Sequence, residues 1–448
     1  MITQQLYTKK YSDIMITTNI NFNYFNTLKI AFIFLLIAFL FKSVIKTPSV
    51  ILEFTLLALL LTFSLLYAAQ NFKITSGPSL IFVLFLGYIL LHTLFATFVR
   101  PILVNVDFFT VLQYNLLEFR VSTISYFLPI IFIPLIINNI EKIERFIILI
   151  VKISIVFTII EQLASLIGFR SFFESFYAPS GVVTSNQIGV KSLGLYRIWG
   201  VVGSPQLLGV FHIITLFYLV HMNENKLAFL SLIAVVFSTS KTAYVILLIV
   251  GILYLLYTKR YALLFISLIT SFFIIFFTLN FYFYLIENIS DSYPSFQKFI
   301  GSILGYVTLL SNVREESAPE AFIPGGPIYI LINYYSENIL ETLFGKGLTY
   351  SFMQDNLISN SELGSFLYLT SDFYILTFFD QYGIVGIVLM LYLFLIYPLV
   401  VLLKGGSCLY FIPIVFFLSM FHYPPHLPKI MMLLASYPLY KLYLNNDV

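Results

Sequence analysis

The sequence predicts an all-α polytopic membrane protein of about twelve transmembrane helices, with one large extracytoplasmic loop between the ninth and the tenth. Three observations carry this reading. Of 448 residues, 60% are hydrophobic and only 10% charged, against roughly 25% charged in a soluble domain, and the mean hydropathy is +0.95. The apolar residues come in runs near the length of about 20 that a membrane-crossing helix needs. The charge is gathered instead of spread: ten of the 21 acids lie between Glu287 and Asp372. That stretch is wet, and the chain around it is not.

Taken in order, helices are expected at Leu28–Ile45, Val50–Ala69, Leu80–Phe98, Val121–Ile137, Phe146–Ile167, Gln206–His221, Leu227–Thr239, Thr242–Tyr257, Ala262–Tyr284, Gly383–Leu403, Leu409–Phe421 and Ile430–Leu444. The first apolar run is long enough to span, and no small-residue cleavage site follows it, so it reads as an uncleaved helix. All belong to one integral membrane domain, 1–448, with the loop 287–372 inside it. Lys73, Lys142, Arg145, Lys226, Lys259, Arg260 and Lys404 then fall in short loops on one side. Basic residues in short loops favour the cytoplasm, which puts that side and both termini there. The connections Arg100–Arg120, Arg170–Val202 and Glu287–Asp372 lie opposite, where no ATP or nucleotide sugar is at hand.

Several chemistries are excluded. A lone Cys408 in an apolar segment rules out a disulfide framework, a redox pair and a cysteine-ligated metal. A net charge of +3 with no polybasic run gives nucleic acid nothing to bind.

Polar residues in so apolar a chain are the candidates for chemistry. Tyr196–Gly209, YRIWGVVGSPQLLG, places Arg197 and Gly200 before a Ser204-Pro205 break and Gln206 at a helix start. An arginine fork and a helix N-terminus together suit a diphosphate; an interfacial arginine and tryptophan belt would read the same way. Ser238–Ala243 is a polar knot between two helices, with Lys241 as a second cation or as a snorkelling lysine beside helix caps. Phe344-Gly345-Lys346-Gly347 lacks the rest of a phosphate loop, so nucleotide binding is not implied. Asp372 stands where the wet loop re-enters the membrane, placed as a general base or as an N-cap. Arg314, beside Glu315 and Glu316, is a further cation. Glu53, Lys152 and Glu161 fall within apolar runs, where charge is costly unless paired or wet.

In their order these pieces resemble a family. Arg197, Gly200 and Ser-Pro-Gln, then Thr-Ser-Lys-Thr-Ala, a long outer loop, FGKG, SDFY and a GIVG helix start together resemble the superfamily of O-antigen and capsule polymerases (Wzy) and O-antigen ligases, over roughly 196–403. Two departures stand out: Pro205-Gln206 where the family has Pro-Asn, and Ser240-Lys241 where it has Ser-Arg. Ligases of the superfamily carry a histidine in the large outer loop. None of the five histidines here lies between Glu287 and Asp372, which favours the polymerase.

The resemblance implies a metal-independent glycosyltransferase without cofactor, in the bacterial inner or plasma membrane. It would join oligosaccharide repeat units carried on undecaprenyl diphosphate into a surface polysaccharide. Asp372 and Arg197 would be catalytic, with Arg197, Gly200, Gln206, Lys241 and Arg314 holding the diphosphate. Membrane lipid, a chain-length regulator and a flippase would be partners. The competing readings are an O-antigen ligase and a lipid-linked oligosaccharide flippase or other transporter. For a transporter, Glu53 and Glu161 would matter most.

Overall fold

A computed structural model of the protein describes residues 77–99, 123–177, 191–192, 195–266, 339–345, 347, 374–421 and 429–444, with 102, 108, 109, 112 and 269 besides. The helices expected at Leu28–Ile45 and Val50–Ala69, most of Ala262–Tyr284 and most of the loop 287–372 lie outside the described residues.

The described residues are mostly helical. In chain order they form α1 (Gly77–Leu94), α2 (Ile124–Ala164), α3 (Arg170–Tyr177), α4 (Pro205–His221), α5 (Asn225–Phe237), α6 (Lys241–Tyr257), α7 (Ile339–Phe344), α8 (Tyr374–Leu391), α9 (Tyr397–Leu403), α10 (Phe411–Ser419) and α11 (Lys429–Leu444). Wider π-turns continue α1 through Val99, join α2 to α3 and join α8 to α9. Against the all-helical expectation stands one two-residue hairpin, β1 (Lys191–Ser192) with β2 (Leu195–Tyr196). Among the described residues, three helical stretches are long and apolar enough to cross a membrane: Leu80–Val99, Glu144–Ser175 and Thr377–Leu403.

α4 is the centre of the bundle. Its sequence, PQLLGVFHIITLFYLVH, is apolar nearly all round, and nearly every residue is buried, as a helix surrounded by others must be. α5, α6 and α10 pack around it, and α2 and α11 also touch it. Some of the polar side chains among these helices bond to one another or to nearby carbonyls. The Thr215 and Ser231 hydroxyls are 3.0 Å apart, Ser231 donates to the His212 carbonyl at 2.9 Å, and Thr158 Oγ1 lies 3.2 Å from His212 Nε2. Such bonds tie helices together where water is scarce.

Helix directions place the sites. The Ser407 hydroxyl is 3.1 Å from His221 Nδ1, and the Phe217 and Phe411 rings stack at 4.8 Å. Residues 407 to 411 therefore climb α4 from its C-terminal end, and α10 runs antiparallel to it toward Pro205. The Ile375 N–H donates to the Met420 carbonyl just past α10, at 2.7 Å, so α8 begins at the Pro205 end of the bundle. Tyr126 joins it there, its hydroxyl 2.9 Å from that of Tyr374. Glu144 instead meets Tyr437, which lies against Tyr218 toward the other end. Most of both expected runs, Val121–Ile137 and Phe146–Ile167, falls on the one element Ile124–Ala164, a continuous helix where two were expected.

Candidate functional site

The Arg197 segment enters α4 through a tight turn. The Gly203 N–H donates to the Trp199 carbonyl at 3.0 Å, with Gly200 and Gly203 at φ +56° and +85°. Ser204 is extended and Pro205 takes the first helical position, where its missing N–H costs nothing. The Ser204 hydroxyl donates to Gln206 Oε1 at 2.9 Å and makes no cap bond to the helix. The positive end of α4 is thus left to other acceptors. Arg197 is half-buried beside it.

Beneath this turn lies a carboxylate. Glu161, on α2, is completely buried. It accepts the Tyr177 hydroxyl at 2.7 Å, the Gly200 N–H at 3.0 Å and the Trp199 N–H at 3.3 Å. Arg170 Nη1 stands 3.6 Å from it. Arg170 also donates to the Arg197 carbonyl at 3.1 Å and to Ser165 Oγ at 3.4 Å, and its guanidinium lies over the Tyr196 ring. Burial, helped by the adjacent carboxylate, pushes the Tyr177 phenol well above its ordinary pKa and keeps it a donor. Phe173, Tyr177 and Trp199 form an apolar cluster around these groups.

The polar knot meets the same segment. Thr239 Oγ1 lies 3.5 Å from the Tyr196 carbonyl, and Thr239 itself is at φ +52°. Ser240 is the N-cap of α6, its hydroxyl accepting the Ala243 N–H at 3.2 Å, which bears out the capping alternative for this residue. Lys241 is the first residue of α6 and half-buried. A Cβ added to Gly209 would fall 2.8 Å from Ser238 Oγ, so only glycine lets α4 approach the knot this closely. Arg197, Gly200, Gln206 and Lys241 are thereby gathered around the start of α4.

A second junction forms between the FGKG segment and α8. The sequence reading starts a helix at Gly383, and the structure breaks α8 there: Gly383 leaves helical geometry, with φ +63° and ψ −168°, and separates one helical segment from the next. In the segment before the break, Tyr374, Phe378 and Tyr382, four apart, make one buried helical face. The bend is sharp. A Cβ on Gly386 would lie 3.4 Å from the Phe378 ring, though residues eight apart in a straight helix are separated by about 12 Å.

Into that bend fits Gly345, which follows α7. A Cβ on Gly383 would strike the Leu343 carbonyl and the Gly345 N–H, and one on Gly345 would strike the backbone at Gln381 and Tyr382. The Gly347 N–H donates to the Gln381 carbonyl at 3.0 Å. From α1, the Tyr88 hydroxyl lies 2.6 Å from the Tyr382 carbonyl and 2.9 Å from that of Phe344. FGKG is therefore a docking segment for the bent helix. Asp380 and Gln381 are buried beside it.

Asp372 and Arg314 lie outside the described residues. Glu161 was legible as a charge in an apolar run, but not as the support of the Arg197 turn, and Arg170 and Tyr177 were not singled out at all. The available signal was an arginine nine residues after a membrane acid, at the end of the same apolar run. Lys152 is exposed on α2. Among the described residues no three His, Cys, Asp or Glu side chains gather as a metal ion would need. Comparison of the chain with models of known protein families, with curated proteins and with solved structures returns no match.

Proposed function

We propose that the protein is a repeat-unit polymerase of the Wzy kind, which transfers a growing glycan from undecaprenyl diphosphate to a hydroxyl of a new lipid-linked repeat. The observation that carries this reading is the convergence of Arg197, Gln206 and Lys241 on the N-terminal ends of α4 and α6, through the Thr239–Tyr196 contact. The family-like order of motifs, with FGKG docked on α8 at the Gly345–Gly383 junction, adds support. In this reading the chain crosses the bacterial inner or plasma membrane about twelve times. Its termini are cytoplasmic, and the Arg197 segment and the long loop lie on the outer face.

Each turnover breaks the bond between the anomeric carbon and a diphosphate oxygen. That carbon then bonds to the acceptor hydroxyl oxygen, and the diphosphate leaves on its lipid. It is a weak base, so a strong acid is unnecessary; the developing negative charge needs donors in place before it forms. Arg197, Lys241, Arg314 and the open end of α4 supply them, and the Asp372 carboxylate takes the acceptor's proton. No step requires a cofactor. A chain-length regulator and a flippase would work beside it.

The carrier reading leaned on Glu161 as an intramembrane acid. Its contacts are to Tyr177, Arg170 and the backbone of the Arg197 turn, a supporting arrangement. Deleting the gene should reduce the surface glycan to a single repeat unit per anchor, and wild type but not Arg197→Ala should restore its length. Long glycan stranded on the lipid carrier would mean a ligase instead, and an unchanged profile would mean transport.

A further inference from the structure

We propose that Glu161 and Arg170 act together as the positioning device for Arg197, a role that rests on reading the Arg197 turn as the diphosphate-binding segment. The two residues hold that turn from both sides. Arg170 donates to the carbonyl of Arg197 itself, while Glu161 accepts the next-but-one and following N–H groups, those of Trp199 and Gly200. A carboxylate has room for about four donors. Here Tyr177 and two backbone amides hydrogen-bond to it and Arg170 stands close by, so the anchor is used almost to capacity.

Neutral replacements would not serve as well. An amide at position 161 has one acceptor oxygen and turns its NH2 group toward donors. It also leaves Arg170 buried without its main counter-charge, and breaking one side of a buried pair is costly. Glu174, which also lies beside that guanidinium, is 4.0 Å away and more exposed. The division of labour follows. Arg170 is 6% exposed and faces Glu161, so its charge is spent inside the fold; Arg197, half-buried on the same turn, is the cation assigned to substrate.

The chain's sole tryptophan, Trp199, sits in this turn and packs against Phe173 and Tyr177. It is a built-in reporter of whether the turn is held.

The test uses the full-length purified protein in nanodiscs, with activity expressed per folded molecule. Glu161→Gln should shift Trp199 emission to the red and lower kcat about 100-fold, while Arg197→Ala alone lowers it about 1,000-fold. Because Glu161 acts through Arg197, the double variant should match Arg197→Ala within about threefold. Losses that multiply would overturn the proposal, since a residue that merely supports the fold does not depend on Arg197. Unchanged Trp199 emission would overturn it too. If Glu161→Gln does not fold, Tyr177→Phe goes through the same cycle, with an expected loss of about 10-fold. A wild-type protein that polymerises nothing would refute the functional reading alone; Trp199 emission would still decide whether Glu161 holds the turn.

Discussion

Gly345 and Gly383 meet backbone to backbone, and neither position has room for a Cβ. One is the first glycine of the FGKG segment and the other bends α8, 38 residues further along the chain (383 − 345 = 38). Their contact turns two short motifs, unrelated in sequence, into one structural joint. Gly383 also holds a positive φ with an extended ψ, a region that side chains almost never enter.

Gly383→Ala should therefore destabilise the protein by at least about 1–3 kcal/mol from backbone strain, with the collision added. Thermal unfolding of detergent-solubilised protein is the measurement. A melting temperature equal to that of the wild type would mean that the two segments are not clasped.

Tyr88→Phe tests the same joint more gently. The lost hydroxyl bonds to the Tyr382 and Phe344 carbonyls, and about 1 kcal/mol should go with it. Cleavage near FGKG by a protease added to the folded protein should quicken by roughly fivefold, in step with the opened fraction.

Ser240 and Lys241 are neighbours with different work. Ser240→Ala removes a helix cap and should cost about 1 kcal/mol of stability, with turnover little changed. Lys241→Ala should leave stability nearly intact and lower turnover about 10–100-fold, because under the proposed function it removes a charge that meets the diphosphate. The prediction is checked by measuring unfolding and turnover on both variants; a Lys241→Ala protein that loses only stability would make this lysine structural.

Asp372→Asn should lower kcat by about 100-fold or more while lipid-diphosphate binding stays within a few-fold, as expected for a general base. Parallel loss of binding and turnover would make Asp372 a helix cap instead.

The sequence was most legible where one physical constraint dominates. Runs such as Leu80–Phe98 and Gln206–His221 read as helices because only a helix satisfies its own backbone in lipid, and the structure places α1 and α4 there within a few residues. The helix start at Gly383 was legible in its paired glycines, since Gly383 divides α8 into two helical segments; the earlier segment, with Tyr374, Phe378 and Tyr382 on one buried face, was not read as a helix. The gathering of Arg197 and Lys241 could be inferred only from motif order, since the Thr239–Tyr196 contact links residues 43 apart. The support from Glu161 was hidden for the same reason. A buried acid announces that it must have partners, but periodicity cannot say whether those partners are ions, substrate or, as here, two backbone amides of a distant turn.

The most direct test supplies the purified protein with a lipid-linked repeat unit and follows both products. A repeat-unit polymerase makes lipid-linked glycans of two and more repeats and frees one undecaprenyl diphosphate for each new glycosidic bond, and Arg197→Ala does neither. Repeat units that cross a vesicle membrane intact, with no diphosphate freed and no longer glycan formed, would contradict the account.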